Sequence, residues 1–217
     1  MKHLLLLATA FFLTVASFAQ SEKYTKAMEQ LVPAIDTTRN ADGLTNLSNS
    51  FQRIADAEKN QWLPYYYAAL SQVNAAFVIS MGQMGMADKT DPMADRAEEL
   101  LKKAETLSQD NSEIYCVKKM IASLRLIGDP QNRYMTYGPL AEEALATAKS
   151  LNPANPRVTL LEAQDKLFTP EQFGGSKTEA KALLEEAMKK FEAFKPESNI
   201  HPRWGLTTAQ YFLTQIK

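Results

Sequence analysis

Residues 141–148 read AEEALATA, and the same pattern returns twice in the chain, as AEELLKKA at 97–104 and AKALLEEA at 180–187. Position 141 follows 97 by 44 residues, and 180 follows 141 by 39. Each copy has alanine at its first and eighth positions and leucine at its fifth: Ala97/Leu101/Ala104, Ala141/Leu145/Ala148 and Ala180/Leu184/Ala187. Residues spaced by three and four share one face of an α-helix, so each copy is a helix with a small-residue stripe. Alanine on that stripe lets a neighbouring helix come close. Self-similarity at this period marks stacked helical hairpins. A fainter copy, Leu47/Phe51/Ile54, precedes the three and uses larger side chains.

The remaining chain falls into place around these helices. Residues 62–80, 112–127 and 156–168 are each the first helix of a hairpin whose second helix carries the stripe. Asp91 with Pro92, and Asn155 with Pro156, read as N-cap plus first-turn pairs. An opening helix is expected at 23–36 and a closing one at 203–216, with short links at 109–111 and 152–155. The two offsets exceed the roughly 34-residue period of tight helix–turn–helix repeats, the first by about ten and the second by about five. The excess falls between the helices of each hairpin, giving expected loops at 81–90, 128–138 and 169–175. Loops of this kind emerge along one edge and often form a binding face.

The alanine–apolar–alanine–proline spacing resembles the second-helix signature of the tetratricopeptide repeat. Ala141, Leu145, Ala148 and Pro153 match its four positions, and the copies at 97 and 180 match three of them. The segments WLPYYYAALSQ, NSEIYCVKKMIASLR, TPEQFGGSKTEA and HPRWG look more specifically like a tetratricopeptide-like family of small exported bacterial proteins with no assigned activity. That resemblance implies an all-α, irregular solenoid of about nine helices and no particular chemistry.

The first residues, MKHLLLLATAFFLTVASFAQ, have the basic start, apolar run and small residues Ser17 and Ala19 of a cleaved secretory signal. The twelve-residue run Leu4–Val15 is short for a bilayer span, which takes about twenty residues. Cleavage after Ala19 leaves a domain at 20–217, expected in the bacterial periplasm without stable membrane insertion. Its 23 basic and 25 acidic side chains give no electrostatic footprint for nucleic acid. With one cysteine, Cys116, no disulfide can form within the chain.

Several residues invite chemistry. The FGGS stretch at 173–176 lacks the spacing and the Gly-Lys-Ser ending of a phosphate loop, and Ser176 with Glu179 reads as a capping box. Met81, Met84 and Met86 offer soft thioethers suited to Cu(I), or else flexible apolar contact. A Cys116–His201 dyad is conceivable, but Cys116 sits in an apolar helix where thiols are usually inert. Glu98/Glu99, Glu142/Glu143 and Glu185/Glu186 lie opposite the packing stripe and read as solvated faces. Asp88, Asp91 and Asp95 lack calcium-loop spacing. Metalloprotease, hydrolase, dinucleotide and zinc motifs are absent, so neither an enzyme nor a cofactor is expected.

Aromatic side chains are the better candidates for contact. Trp62, Tyr65, Tyr66 and Tyr67 crowd one helix start, and such a run is expected to leave some rings exposed or set in a groove. Arg133, Tyr134, Met135 and Tyr137 occupy the second expected loop, and Phe173 the third. These types are enriched in interface cores. The sequence therefore points to a non-catalytic module binding a protein or peptide in the concave groove of the first helices or across the loop edge. Its contacts would be Trp62, Tyr65, Tyr66, Arg133, Tyr134, Tyr137 and Phe173. The alternative is a small-molecule or copper carrier holding its ligand between the three loops.

Overall fold

The computed structural model describes residues 22–81 and 83–216. The expected signal segment therefore lies outside the described residues. Among those described there are nine α-helices and no strand. They are α1 (22–31), α2 (Ala41–Glu58), α3 (Trp62–Ser80), α4 (Ala87–Leu107), α5 (Ser112–Gly128), α6 (Pro130–Leu151), α7 (Pro156–Phe168), α8 (Lys177–Ala193) and α9 (Leu206–Gln215). Successive helices joined by short turns pack against each other, as expected of stacked hairpins, and α5 also touches α3 and α7. No helix among the described residues is long and apolar enough to cross a membrane.

The alanine stripes behave as their spacing requires. Ala97, Ala104, Ala148, Ala180, Leu184 and Ala187 are fully buried, Leu101 and Ala141 are nearly so, and Leu145 packs half-buried against the core. Caps read from sequence are in place at two helices. The Asn155 side chain accepts a hydrogen bond from the Arg157 amide ahead of Pro156 in the first turn of α7. Ser176 Oγ accepts from the Glu179 amide at 3.2 Å and starts α8. The other half of that capping box is replaced: the Ser176 amide donates to the Lys166 carbonyl at 2.8 Å, and the Glu179 carboxylate pairs with Lys166 Nζ at 2.7 Å.

Three expectations are corrected. The segment 128–138 is not a loop, since α6 begins at Pro130. Asp129 caps it, accepting from the Asn132 amide and side chain, and Pro130 presets the first turn. Gly138 and Pro139 lie inside the helix despite their low helix propensity, Gly138 half-buried and Pro139 exposed. Secondly, Asp91 and Pro92 do not start α4, which begins at Ala87 with Pro92 in its interior. Tertiary contact carries the helix upstream of the proline. The Gly85 amide donates to the Ile127 carbonyl at 3.0 Å, and the bare Cα of Gly128 lets Ala87 lie against the end of α5. Lastly, the opening helix stops at residue 31 and tightens into a 3-10 turn, Val32–Asp36, led by Pro33.

One side of the α3, α5, α7 row is covered by the chain's own C-terminal segment. Tyr67 donates to the Ile200 carbonyl at 3.0 Å, Trp204 Nε1 donates to the Tyr66 hydroxyl at 2.7 Å, and Asn199 reaches Glu29 of α1. Tyr65, Tyr66 and Tyr67 are all buried, so no ring of the three is left exposed.

Candidate functional site

With that side covered, the open hollow lies on the opposite side of α5. Helices α4 and α6 both pack on α5 and scarcely meet each other. Between them runs a groove of about 570 Å³, within the range of small-molecule sites. Its apolar surface comes from Leu101 of α4, Ile121 and Ala122 of α5, and Leu140 and Ala144 of α6. The two alanines keep the hollow open, because a longer side chain at either place would project into it.

One end of the groove is tied shut by charge. Arg133 of α6 grips Asp91 of α4 through both carboxylate oxygens, at 2.7 and 2.6 Å. Arg125 of α5 meets Glu98 at 2.9 Å and Asp95 at 2.6 Å, and its guanidinium lies 5.9 Å from the centre of the Tyr137 ring. The Arg133 hydrogen bonds hold the Asp91 carboxyl below the usual carboxylate range, and Glu98 first among its neighbours raises the Arg125 cation's affinity for its proton.

At the other end the chemistry changes. Tyr115 and Lys118 of α5 face Lys102 and Glu105 of α4. The Lys118 ammonium sits 4.5 Å over the Tyr115 ring and 2.5 Å from Glu105 Oε1. A further hollow of about 400 Å³, lined by Lys102, Glu105, Thr106, Gln109, Asp110 and Tyr115, continues the groove past this point toward the α4–α5 turn.

The residues proposed from sequence separate cleanly. Tyr137 lines the groove and Arg133 braces its closed end. Tyr134 and Phe173 are well exposed, at 58% and 67%, outside the groove lining. Tyr65 and Tyr66 belong to the core, and half-buried Trp62 packs edge-on to Tyr66 with His201 beyond it. Met81 and Met84 are exposed and Met86 is half-buried at the N-cap of α4. Since α6 begins at Pro130, the second of the three loops expected to hold a ligand is not formed as a loop. Cys116 is fully buried, and burial followed by the nearby Glu113 carboxylate pushes its thiol up, away from the nucleophilic thiolate. Among the described residues no three His, Cys, Asp or Glu side chains converge as a metal site. Sequence reasoning passed over Lys102, Glu105, Tyr115, Lys118, Ala122 and Ala144.

No family model matches the chain, and no curated protein sequence does. Among solved structures, the HusA haemophore from Porphyromonas gingivalis superposes with a TM-score of 0.77 and 36% sequence identity, over 89% of this chain and 92% of that one. This chain belongs to the HusA haemophore family. The relationship fits the all-helical architecture read from the sequence, without establishing the tetratricopeptide likeness.

Proposed function

We propose that this protein is a non-catalytic, exported carrier that holds a porphyrin-type molecule in the groove between α4 and α6. The observation that carries the reading is its 36% identity to a haemophore across 89% of the chain. The groove suits such a cargo. A tetrapyrrole is a flat apolar ring with ionisable groups along one edge, and the groove pairs an apolar middle with aromatic rings and charged side chains at its ends. The individually exposed Tyr134, Met135 and Phe173 favour a second, compatible role, as contacts for a protein partner that receives or delivers the cargo.

The test is absorbance titration of the mature chain with iron protoporphyrin IX. Ala144→Trp fills the groove from α6 and should abolish the spectral change while circular dichroism stays helical. Undiminished binding by this variant would sink the assignment of the site. Tyr134→Ala with Phe173→Ala is the companion variant. It should bind the cargo normally if these two side chains serve a partner.

A further inference from the structure

We infer that the groove reads the acidic edge of its cargo at the α4–α5 end, where Lys102 and Lys118 receive a carboxylate and Glu105 is the internal carboxylate that the cargo displaces. This rests on the carrier reading above and adds to it an orientation, a chemical preference and the residues that set them.

Charge is distributed unequally along the groove. At the closed end two guanidiniums, Arg125 and Arg133, already face three carboxylates, Asp91, Asp95 and Glu98. An arriving anion finds no unshared cation there. The middle, from Leu101 to Ala144, is apolar and offers nothing to a carboxylate. At the open end Lys102 lines both hollows, and among the described residues it makes no ion pair. Lys118 stands beside it. An acid group on a molecule lying in the groove therefore gains most by pointing toward the α4–α5 turn.

Lys118 is held in a position to exchange partners. Its side chain and that of Glu105 are each about one-third exposed, 33% and 34%, so water reaches the pair. Ion pairs this accessible contribute little to folding, and replacing one carboxylate by another costs the protein almost nothing. The Tyr115 ring beneath the ammonium keeps the cation over the junction of the two hollows when Glu105 lets go. Glu105 and, on the α6 wall, Glu143 act against an anionic cargo until the exchange occurs. They would make the groove selective for molecules whose apolar body is large enough to carry the acid into it.

The experiment compares metal-free protoporphyrin IX, which carries two carboxylates, with its uncharged dimethyl ester, using the full mature chain and Soret absorbance. The diacid should bind more tightly. Lys102→Ala with Lys118→Ala should weaken the diacid by about fivefold and leave the ester unchanged, the scale of an accessible ion pair. Glu105→Gln should tighten the diacid by a similar factor, again without effect on the ester. Equal binding of both porphyrins in all variants, with both still excluded by Ala144→Trp, overturns the acid-end inference and leaves the carrier reading standing. A diacid preference that survives the double lysine variant overturns it as well. Failure of both porphyrins to bind, or binding that Ala144→Trp does not touch, removes the groove assignment and this inference together.

Discussion

Arg157, fully buried on α7, meets the Glu113 carboxylate of α5 in three hydrogen bonds of 2.6 to 2.9 Å. The Phe194 ring lies 4.5 Å from the guanidinium, and Glu113 also accepts from Tyr66 and Asn155. Burial works against the Arg157 cation, and Glu113 more than offsets it, so the group stays charged. The pair joins α3, α5, α7 and, through Trp204 on Tyr66, the C-terminal segment. It is the polar centre of the side that the C-terminal segment covers.

Removing one member leaves the other charge buried. Glu113→Ala should therefore destabilise the fold by about 3–5 kcal/mol. Arg157 Nη1 already lacks a hydrogen-bond partner, which makes the arginine intolerant of losing the others. Replacing both, as Glu113→Leu with Arg157→Met, should recover most of the loss, because desolvation of the charges disappears with them. Urea unfolding of the three variants checks this. A double variant no better than Glu113→Ala would show that the polar geometry, and not the stranded charge, is what the site requires.

The Asp91–Arg133 pair closing the groove gives a dependence on acid. Its folded carboxyl has a pKa below the ordinary 3.8, chiefly through the Arg133 hydrogen bonds. A depressed pKa contributes stability that is fully present above the unfolded value and fades as pH falls through the folded one. Thermal unfolding between pH 7 and pH 2 should show that loss below pH 3.8 in the wild type and less of it in Arg133→Ala. At neutral pH the variant should cost about 1 kcal/mol, since both side chains are a quarter or more exposed. Identical pH profiles for the two proteins would rule out this pair as a source of acid sensitivity.

The hairpins were legible because their cause is local. Ala180, Leu184 and Ala187 announce a packing stripe by spacing alone, and Ser176 and Asn155 announce helix starts by their own side chains. The same cue was misassigned twice, in opposite directions. Asp129–Pro130 starts a helix that the following Gly138–Pro139 concealed, whereas Asp91–Pro92 lies within one because Ala87 packs on Gly128. The groove was not legible at all. It exists because α4 and α6 diverge over α5, a relation among three helices that no residue encodes. Lys102 and Lys118 are ordinary surface lysines until that divergence places them at one mouth. Nor does the Tyr65–Tyr67 run reveal that Ile200 and Trp204 return to cover it.

The FGGS stretch carries the last prediction, because its two glycines are required for different reasons. Gly174 has φ +93°, where an L side chain is strained, yet a Cβ there would meet nothing. Gly174→Ala should cost about 1 kcal/mol, the price of the left-handed backbone alone. Gly175 has no such angle, but its Cβ would run into the Thr169 carbonyl oxygen, which is backbone and cannot turn aside. The chain is pinned at that point by the Gly175 amide on the Pro170 carbonyl and the Ser176 amide on the Lys166 carbonyl. Gly175→Ala should thus cost about 3 kcal/mol and loosen the start of α8. Ser176→Ala, which removes only the cap, should cost about 1 kcal/mol. Denaturant unfolding ranks the three variants. If Gly175→Ala proves as mild as Gly174→Ala, the turn has room to shift, and the close return of the chain onto α7 is not what fixes the α7–α8 hairpin.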